Sequence, residues 1–376
     1  LAVLRRKKMF KTRLLSGIVM VIILIATVGY GGNILISEQG TVWERTKPDI
    51  YATIQDVIYV ESLNKFVAVG GSLTQSEIMI STDGVSWTTT IISQGGGLRA
   101  VTYSEDLELF VAVGYKMQGT YYRWVIYTST DGTTWTLAQQ GATGTTQDEL
   151  NGVTYSEDLE LFVAVGNESM ILTSEDGNTW TDRTISDSAY FYAVACKDNL
   201  LVAMTNNRAY TSQDGTTWTR QSLITGGNFW YMRNCNGLFI AVGEDGVLAT
   251  SENGINWTSR NIGTDKALYD VAYGNNLFIA VGASGIFLTS TDGITWILNE
   301  GDIYYSPCVA YGNNMFVAMG RTILNSYIAE AENIISQLTP QSDMTFNLEQ
   351  GENTILFLSE NESNCTLTYR QKYIGV

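Results

Sequence analysis

The string VTYSEDLELFVAVG occurs twice without a change, at 101–114 and at 153–166. Its ending, FVAVG or a close variant, recurs at 66–70, 110–114, 162–166, 201–205, 239–243, 278–282 and 316–320. A second motif, S-x-[DN]-G-x-x-W, ends at Trp87, Trp135, Trp180, Trp218, Trp257 and Trp296, and a degenerate copy, SEQGTVW, ends at Trp43. Successive Trp residues lie 44, 48, 45, 38, 39 and 39 residues apart. A period of about 40 residues with room for four short strands is the blade spacing of a β-propeller, so the expected fold is all-β and seven-bladed.

Each repeat reads as strands A to D. Strand A carries V-x-Y or its equivalent, and the interval from each Trp to the next strand-A position is 14 residues in five cases, 18 after Trp135 and 13 after Trp296. Strand B is the FVAVG run, apolar throughout, as befits a strand buried on both faces. Strand C holds an I-x-x-S pattern, and strand D begins near the Trp. The first Trp motif precedes the first FVAVG, and no Trp motif comes after the last. The segment around 41–46 is therefore expected to supply the outer strand of the blade built from 307–326, closing the ring and removing its free edge. Both 34–37 (ILIS) and 323–326 (ILNS) fit strand C of that blade.

Composition agrees. Among 376 residues there are 36 Gly, 3 Pro, 9 Trp, 21 Tyr and 12 Phe; apolar residues make up 45% and charged ones only 16%, which argues for turns and a large core and against disorder. There is no His, which removes His-based acid–base catalysis, Ser-His-Asp and Cys-His nucleophiles and His-ligated zinc. With the six basic residues of 1–13 set aside, 16 basic residues face 38 acidic ones, a net −22 over 14–376. Such a surface repels phosphate backbones, so nucleic acid is not expected as a partner. Cys196, Cys235, Cys308 and Cys365 show no metal-like spacing and read as small hydrophobes. No metal and no cofactor is expected.

Residues 1–13 carry Arg5, Arg6, Lys7, Lys8, Lys11 and Arg13, and 14–30 are uncharged. A basic n-region before an apolar core over 14–32 is expected to be a helix, either a transmembrane or a signal segment, placing residues from 33 onward outside the cytoplasm. The remaining divisions are a propeller over 33–326, a linker over 327–340 with a short helical stretch at 328–337, and a small β-domain over 341–376.

The S-x-D-G-x-x-W motif resembles the Asp-box (BNR-type) repeat of sialidase-like and photosystem II assembly-factor-like propellers, one residue shorter than the common S-x-D-x-G-x-x-W form. The local chemistry is independent of that name. Asp-Gly suits a tight C–D turn, the Ser and Asp oxygens accept turn N–H groups, and the Trp fills the wedge between blades. Asp83, Asp131, Asp176, Asp214 and Asp292 accordingly read as turn elements spread round one rim rather than a catalytic or calcium set.

Function is expected on the opposite face, where the D–A and B–C loops lie. From the Gly of FVAVG to the Ser of the Asp box the common interval is 8 residues, but it grows to 11 at 70→81 and 15 at 114→129. The longest insertion offers Tyr115, Lys116, Tyr121, Tyr122, Arg123 and Trp124 as candidate ligand-binding residues; rings with cations suit sugars or acidic groups. The alternative is a hairpin whose aromatics pack on the neighbouring blade. Trp230, Tyr231, Tyr304 and Tyr305 are further positions on that face. A sialidase would need three convergent arginines and a Tyr/Glu pair, and the Arg-Ile-Pro motif of that family is missing.

The closing segment, with GENTI at 351–355 and YRQKYIGV at 369–376, resembles the carboxy-terminal β-domain of siphovirus-type tail components, which implies a virion tail or baseplate setting. The expected function is non-enzymatic: a propeller, extracytoplasmic or phage-tail-associated, that binds a cell-surface glycan or protein. A membrane-anchored assembly scaffold docking a partner protein is the alternative, and an Asp-box glycosidase a second one.

Overall fold

Strand B shows most directly how this sequence builds its core. In the computed structural model, which describes residues 8–11, 21–24, 31–37, 44–50, 53–119, 121–142, 148–224, 226–300, 305–322, 353–357 and 365–369, Phe162, Val163, Ala164 and Val165 are each fully buried. The same holds for Phe66 to Val69 and Phe110 to Val113. β-Branched residues favour the extended backbone, and the invariant central Ala leaves room for the adjoining sheet.

The chain divides into two units, Gly31–Thr322 and a second unit of Leu1–Tyr30 with Ile323–Val376. The second unit contains β1 (Lys8–Lys11) antiparallel to β2 (Val21–Leu24). The helix expected over 14–32 therefore does not appear at Val21–Leu24, which is extended; three consecutive β-branched residues, Val21, Ile22 and Ile23, suit a strand. Gly31 and Gly32 open a further strand, and the rest of that segment lies outside the described residues. Among the described residues no helix is long and apolar enough to cross a membrane.

In the large unit, β3 (Gly31–Ser37) and β4 (Glu44–Ile50) come first. Next is a six-stranded sheet, built from β5 (Thr53–Val60), β6 (Lys65–Ser81), β7 (Thr88–Ser104), β8 (Leu109–Gln118), β9 (Tyr121–Ser129) and β10 (Thr136–Gln140). Four four-stranded antiparallel meanders succeed it. They are β11 (Leu150–Ser156) to β14 (Thr181–Asp182), with β12 (Leu161–Gly166) and β13 (Ile171–Ser174); β15 (Ala193–Lys197) to β18 (Thr219–Leu223), with β16 (Leu200–Met204) and β17 (Arg208–Ser212); β19 (Phe229–Cys235) to β22 (Thr258–Ser259), with β20 (Leu238–Gly243) and β21 (Leu248–Ser251); and β23 (Leu268–Gly274) to β26 (Ile297–Glu300), with β24 (Leu277–Gly282) and β25 (Ile286–Ser290).

The last sheet has the order β27-β28-β3-β4, with β27 (Tyr305–Gly312) and β28 (Met315–Thr322). Val317 stands opposite Ile36, so the ILIS segment 34–37 supplies the third strand, and β4 the outer one. The alternative third strand, 323–326, lies outside the described residues. Inner strands neighbour one another in a closed circuit, β5 to β7, β11, β15, β19, β23, β27 and back to β5.

Six-strandedness has a simple origin. β6 runs without interruption from the FVAVG position to the Ser81 that opens the S-x-D-G-x-x-W turn, and β7 continues from the outer position after Trp87 into the next inner strand. Gly71 pairs with Gly97 and Gly96 with Lys116, so the long loops of this sector extend the ladder instead of leaving it.

Between sheets the aromatic residues repeat one arrangement. Tyr155 meets Phe162 at 4.5 Å and Phe162 meets Trp180 at 6.2 Å; Tyr103, Phe110 and Trp135 match them, as do Tyr59, Phe66 and Trp87. Tilted rings at these separations add to the area they bury. Cys235 and Cys308 are buried and Cys196 half-buried, all as free thiols.

In the second unit, β29 (Asn353–Phe357) pairs with β30 (Cys365–Tyr369). The helical stretch expected at 328–337 lies outside the described residues, as do the first two residues of GENTI and all of YRQKYIGV but Tyr369.

Candidate functional site

The S-x-[DN]-G-x-x-W turns repeat to within tenths of an ångström. Asp176 Oδ1 accepts N–H bonds from Asn178 (2.8 Å) and Thr179 (2.6 Å) and one from the Ser174 hydroxyl (3.0 Å), while Trp180 Nε1 donates to the Gly177 carbonyl at 2.9 Å. Asp83, Asp131, Asp214 and Asp292 make the same set of bonds, and Asn253 substitutes an amide oxygen in the fifth turn of the series. These bonds hold Asp83 down at about 2, the Ser86 N–H contributing most, and Asp292 at about 2 through the Thr295 N–H. Asp131, Asp176 and Asp214 are lowered likewise. Trp87, Trp135, Trp180, Trp218, Trp257 and Trp296 each bond back to their own turn glycine. Trp43 lies outside the described residues. No group of three or more acidic or thiol side chains converges to hold a metal among the described residues.

The six candidate ligand residues form a β-hairpin prolonging β8 and β9, with Tyr115 opposite Trp124, Lys116 opposite Arg123, Met117 opposite Tyr122 and Gln118 opposite Tyr121. Strand alternation sorts them onto two faces. Tyr115, Tyr122 and Trp124 share one face. Tyr115 is buried with its ring 4.8 Å from Tyr122, and Trp124 packs on the cluster containing Leu150 and Tyr155. Lys116, Gln118, Tyr121 and Arg123 share the other; Tyr121 is 39% exposed, and Lys116 and Arg123 are half-buried.

Sequence reasoning did not find the groups that the hairpin joins. Arg99 stacks over Tyr115 at 5.2 Å and donates to Glu149 Oε2 at 3.0 Å. Tyr190 donates its hydroxyl to the other Glu149 oxygen at 2.8 Å, and its ring lies 4.7 Å from that of Tyr192. An aromatic and ionic chain thus runs Tyr122, Tyr115, Arg99, Glu149, Tyr190, Tyr192 over three successive repeats. Partial burial, with 39% of Tyr190 still exposed, and then the Glu149 charge push the Tyr190 phenol well above its ordinary range, and Tyr192 and Tyr115 are raised by burial first.

Beside this chain a cavity of about 290 Å³ opens among the inner strands, lined in part by Asn151, Tyr192, Tyr231, Arg233 and Asp56. Arg233 crosses it. Its guanidinium donates to Asp56 Oδ1 at 2.5 Å and to both oxygens of Asp270, at 2.6 and 2.9 Å. Asp56 and Asp270 are themselves buried, and each accepts the N–H of the next inner strand, Val101 and Val309 respectively, at 2.9 Å. Burial raises Asp270, with Arg233 opposing it. Tyr231 adds a second crossing by donating to the Gln55 carbonyl at 2.9 Å. One signal was available: Asp56 and Asp270 occupy a column held elsewhere by Ala100, Gly152, Ala193 and Cys308, and Arg233 one held by Thr102, Thr154 and Ala195. Trp230 stacks on Tyr269 at 5.9 Å and 12°. Tyr304 lies outside the described residues, and of Tyr305 only the strand position is described.

No family model matches the chain, and no curated protein is similar to it. Among solved structures it is similar to one described as YCF48 bound to D1 peptide, with a TM-score of 0.53 at 16% identity, covering 72% of this chain and 93% of that one. It is also similar to YCF48 from Cyanidioschyzon merolae, with a TM-score of 0.52 at 14% identity over 74% of this chain and 98% of that one. The WD40 β-propeller domain of Doa1 gives 0.53 at 13% identity, over 72% and 93%. At such identities the likeness is one of fold. The large unit is a β-propeller.

Proposed function

We propose that this chain is a non-enzymatic, seven-bladed binding propeller of the Asp-box type that docks a segment of a partner protein on its loop face, across the hairpin 115–124 and the channel mouth. The chain of Tyr122, Tyr115, Arg99, Glu149, Tyr190 and Tyr192 carries this reading. Amphipathic rings fixed by mutual packing offer contact area at little conformational cost, which suits protein recognition. The described YCF48 complex, in which a propeller holds a peptide, supports the same use of the fold.

Two features favour binding over catalysis. Arg99 is committed to Glu149, and Arg233 to Asp56 and Asp270, leaving no set of three free guanidiniums at the described channel. The Tyr190–Glu149 pair resembles a nucleophile and its base, but here burial and the carboxylate stabilise the neutral phenol, opposite to what a nucleophile needs. In the same reading the basic 1–13 and apolar 14–32 direct the propeller to the far side of a membrane, as an anchored or secreted protein. A virion tail is the other setting, tied to the closing segment.

A glycan ligand is the second reading, favoured by the flat Trp230–Tyr269 stack. The full chain is tested on peptide and glycan arrays beside a variant with 115–124 trimmed to the common length and a Tyr190→Ala variant. Peptide binding lost in both supports docking. Glycan binding lost on trimming favours the second reading, and binding indifferent to both changes overturns the assignment of the face.

A further inference from the structure

The outer face of the 115–124 hairpin breaks a rule that strand pairs otherwise keep. Lys116 and Arg123 stand directly opposite one another, so their Cβ atoms lie on one face at about 5 Å, where like charges repel. Neither side chain makes an ion pair among the described residues. Arg123 Nε is moreover buried without a hydrogen-bond partner among those residues. One step along the ladder, Gln140 pairs with Val125 on the same face, and its side-chain oxygen is likewise buried and unpartnered.

Such a pair costs stability unless something neutralises it, and a lost partner at a buried donor costs more than the bond itself returns. Asp148 donates its N–H to the Tyr122 carbonyl at 3.4 Å beside Arg123, but no ion pair joins it to either cation among the described residues. Opposite Lys116 on the other side is Gly96, with no side chain to cover the ammonium. The two other residues sharing the face, Gln118 and Tyr121, are neutral and exposed. On the aromatic side Tyr115 is buried and packs on Tyr122, and Trp124 packs on the neighbouring repeat, so the cations are held on a packed strand pair rather than on a flexible loop.

We propose that Lys116 and Arg123 form an anion site that receives a carboxylate of the docked segment, with Tyr121 flanking it and the Gln140 oxygen taking an N–H of the same segment. The inference rests on the docking reading above and names the chemistry of the partner. An ammonium and a guanidinium at strand spacing grip one carboxylate between them, and each bond is charge-assisted. In a propeller of acidic surface, two unopposed cations also confine an acidic ligand to one place and reject it elsewhere.

The test uses the full chain and two labelled peptides, one of alternating Glu and Gly and its twin with Gln for Glu, read by fluorescence polarisation, with inorganic phosphate as competitor. The Glu peptide is expected to bind, the Gln twin about tenfold more weakly, and Lys116→Gln or Arg123→Gln to erase that difference. Thermal unfolding of either unliganded variant is expected at or above the parent temperature, because a repulsion has been removed. Phosphate competing as well as the Glu peptide binds would mean a free-anion site and overturn the carboxylate assignment. Equal binding of the two peptides, or no binding of the Glu peptide, overturns it too, as does a loss of stability in both variants. Partner binding that survives both substitutions but not hairpin trimming sinks the anion site alone; binding that survives trimming sinks the docking reading as well.

Discussion

Tyr190 donates its hydroxyl hydrogen to Glu149 Oε1 at 2.8 Å, while Arg99 occupies the other oxygen at 3.0 Å. The carboxylate is thereby shared between an inner-strand cation and a phenol from the next repeat but one. The phenol stays neutral because burial and then the Glu149 charge oppose its ionisation. A group whose folded pKa is raised contributes stability that is complete below its unfolded value, about 10 for Tyr, and is lost as pH rises through the folded value. Tyr190→Phe should therefore flatten the fall in stability above about pH 10, measured by urea unfolding across that range. An unchanged slope would mean the phenol does not carry it.

The turn carboxylates have the opposite sign. Asp83 is held at about 2, so its contribution is present above the unfolded value of about 3.9 and is lost as pH falls through the folded one. Asp83→Asn keeps the acceptor oxygen that Asn253 already supplies in its own turn. Stability at neutral pH should change little, and the decline below about pH 4 should become shallower. Carboxyl-carbon NMR titration of Asp83 gives the direct check.

Turn glycines separate two costs. Gly177 has φ +70°, and a Cβ there would sit 2.6 Å from Leu109 Cδ2 in the preceding blade; Gly263 has φ +75° and open space around it. Gly263→Ala should cost only the backbone term, on the order of 1 kcal/mol, and Gly177→Ala about 1–3 kcal/mol more, by chemical denaturation. Equal losses would show that the turn yields to its neighbour.

Arg233→Met leaves Asp56 and Asp270 buried without their cation, which should cost about 3–5 kcal/mol at neutral pH. Burial already raises Asp270, and removing the guanidinium raises it further. Stability of the variant should be greatest in mild acid and fall as pH rises through the raised carboxylate value, whereas the parent shows no such acid recovery. Adding Asp56→Asn and Asp270→Asn should restore most of the loss and abolish the recovery. Failure of the neutral triple variant to regain stability would mean that the crossing acts by shape, not by charge.

Repeats and turns were legible because they are local. A Ser, an Asp and a Gly within four positions close their own hydrogen bonds, and FVAVG declares a strand buried on both faces wherever it stands. The ring order was legible too, since a Trp motif without a blade in front and a blade without a Trp motif behind can only complete one another. The choice of 34–37 over 323–326 was not. Both read in sequence as apolar strand segments of similar pattern, and only the pairing of Val317 with Ile36 assigns the place to 34–37. At 14–32 the hydropathy was plain, but the extended backbone of Val21–Leu24 was not expected from it.

The candidate site divides in the same way. Tyr115, Tyr122 and Trp124 were found from an insertion length, yet which face each takes depends on strand register, which the turn geometry and packing set. Glu149, Tyr190 and Arg99 meet from different repeats, and Arg233 reaches Asp56 across 177 residues of chain. By itself the sequence determined the blade, its turn chemistry, its buried strand and the closure of the ring, because those rest on interactions within a few residues or on a repeated period. Tertiary structure alone decided which polar side chains meet at the mouth and in the channel, because a propeller brings together residues that share a radius rather than a neighbourhood in sequence.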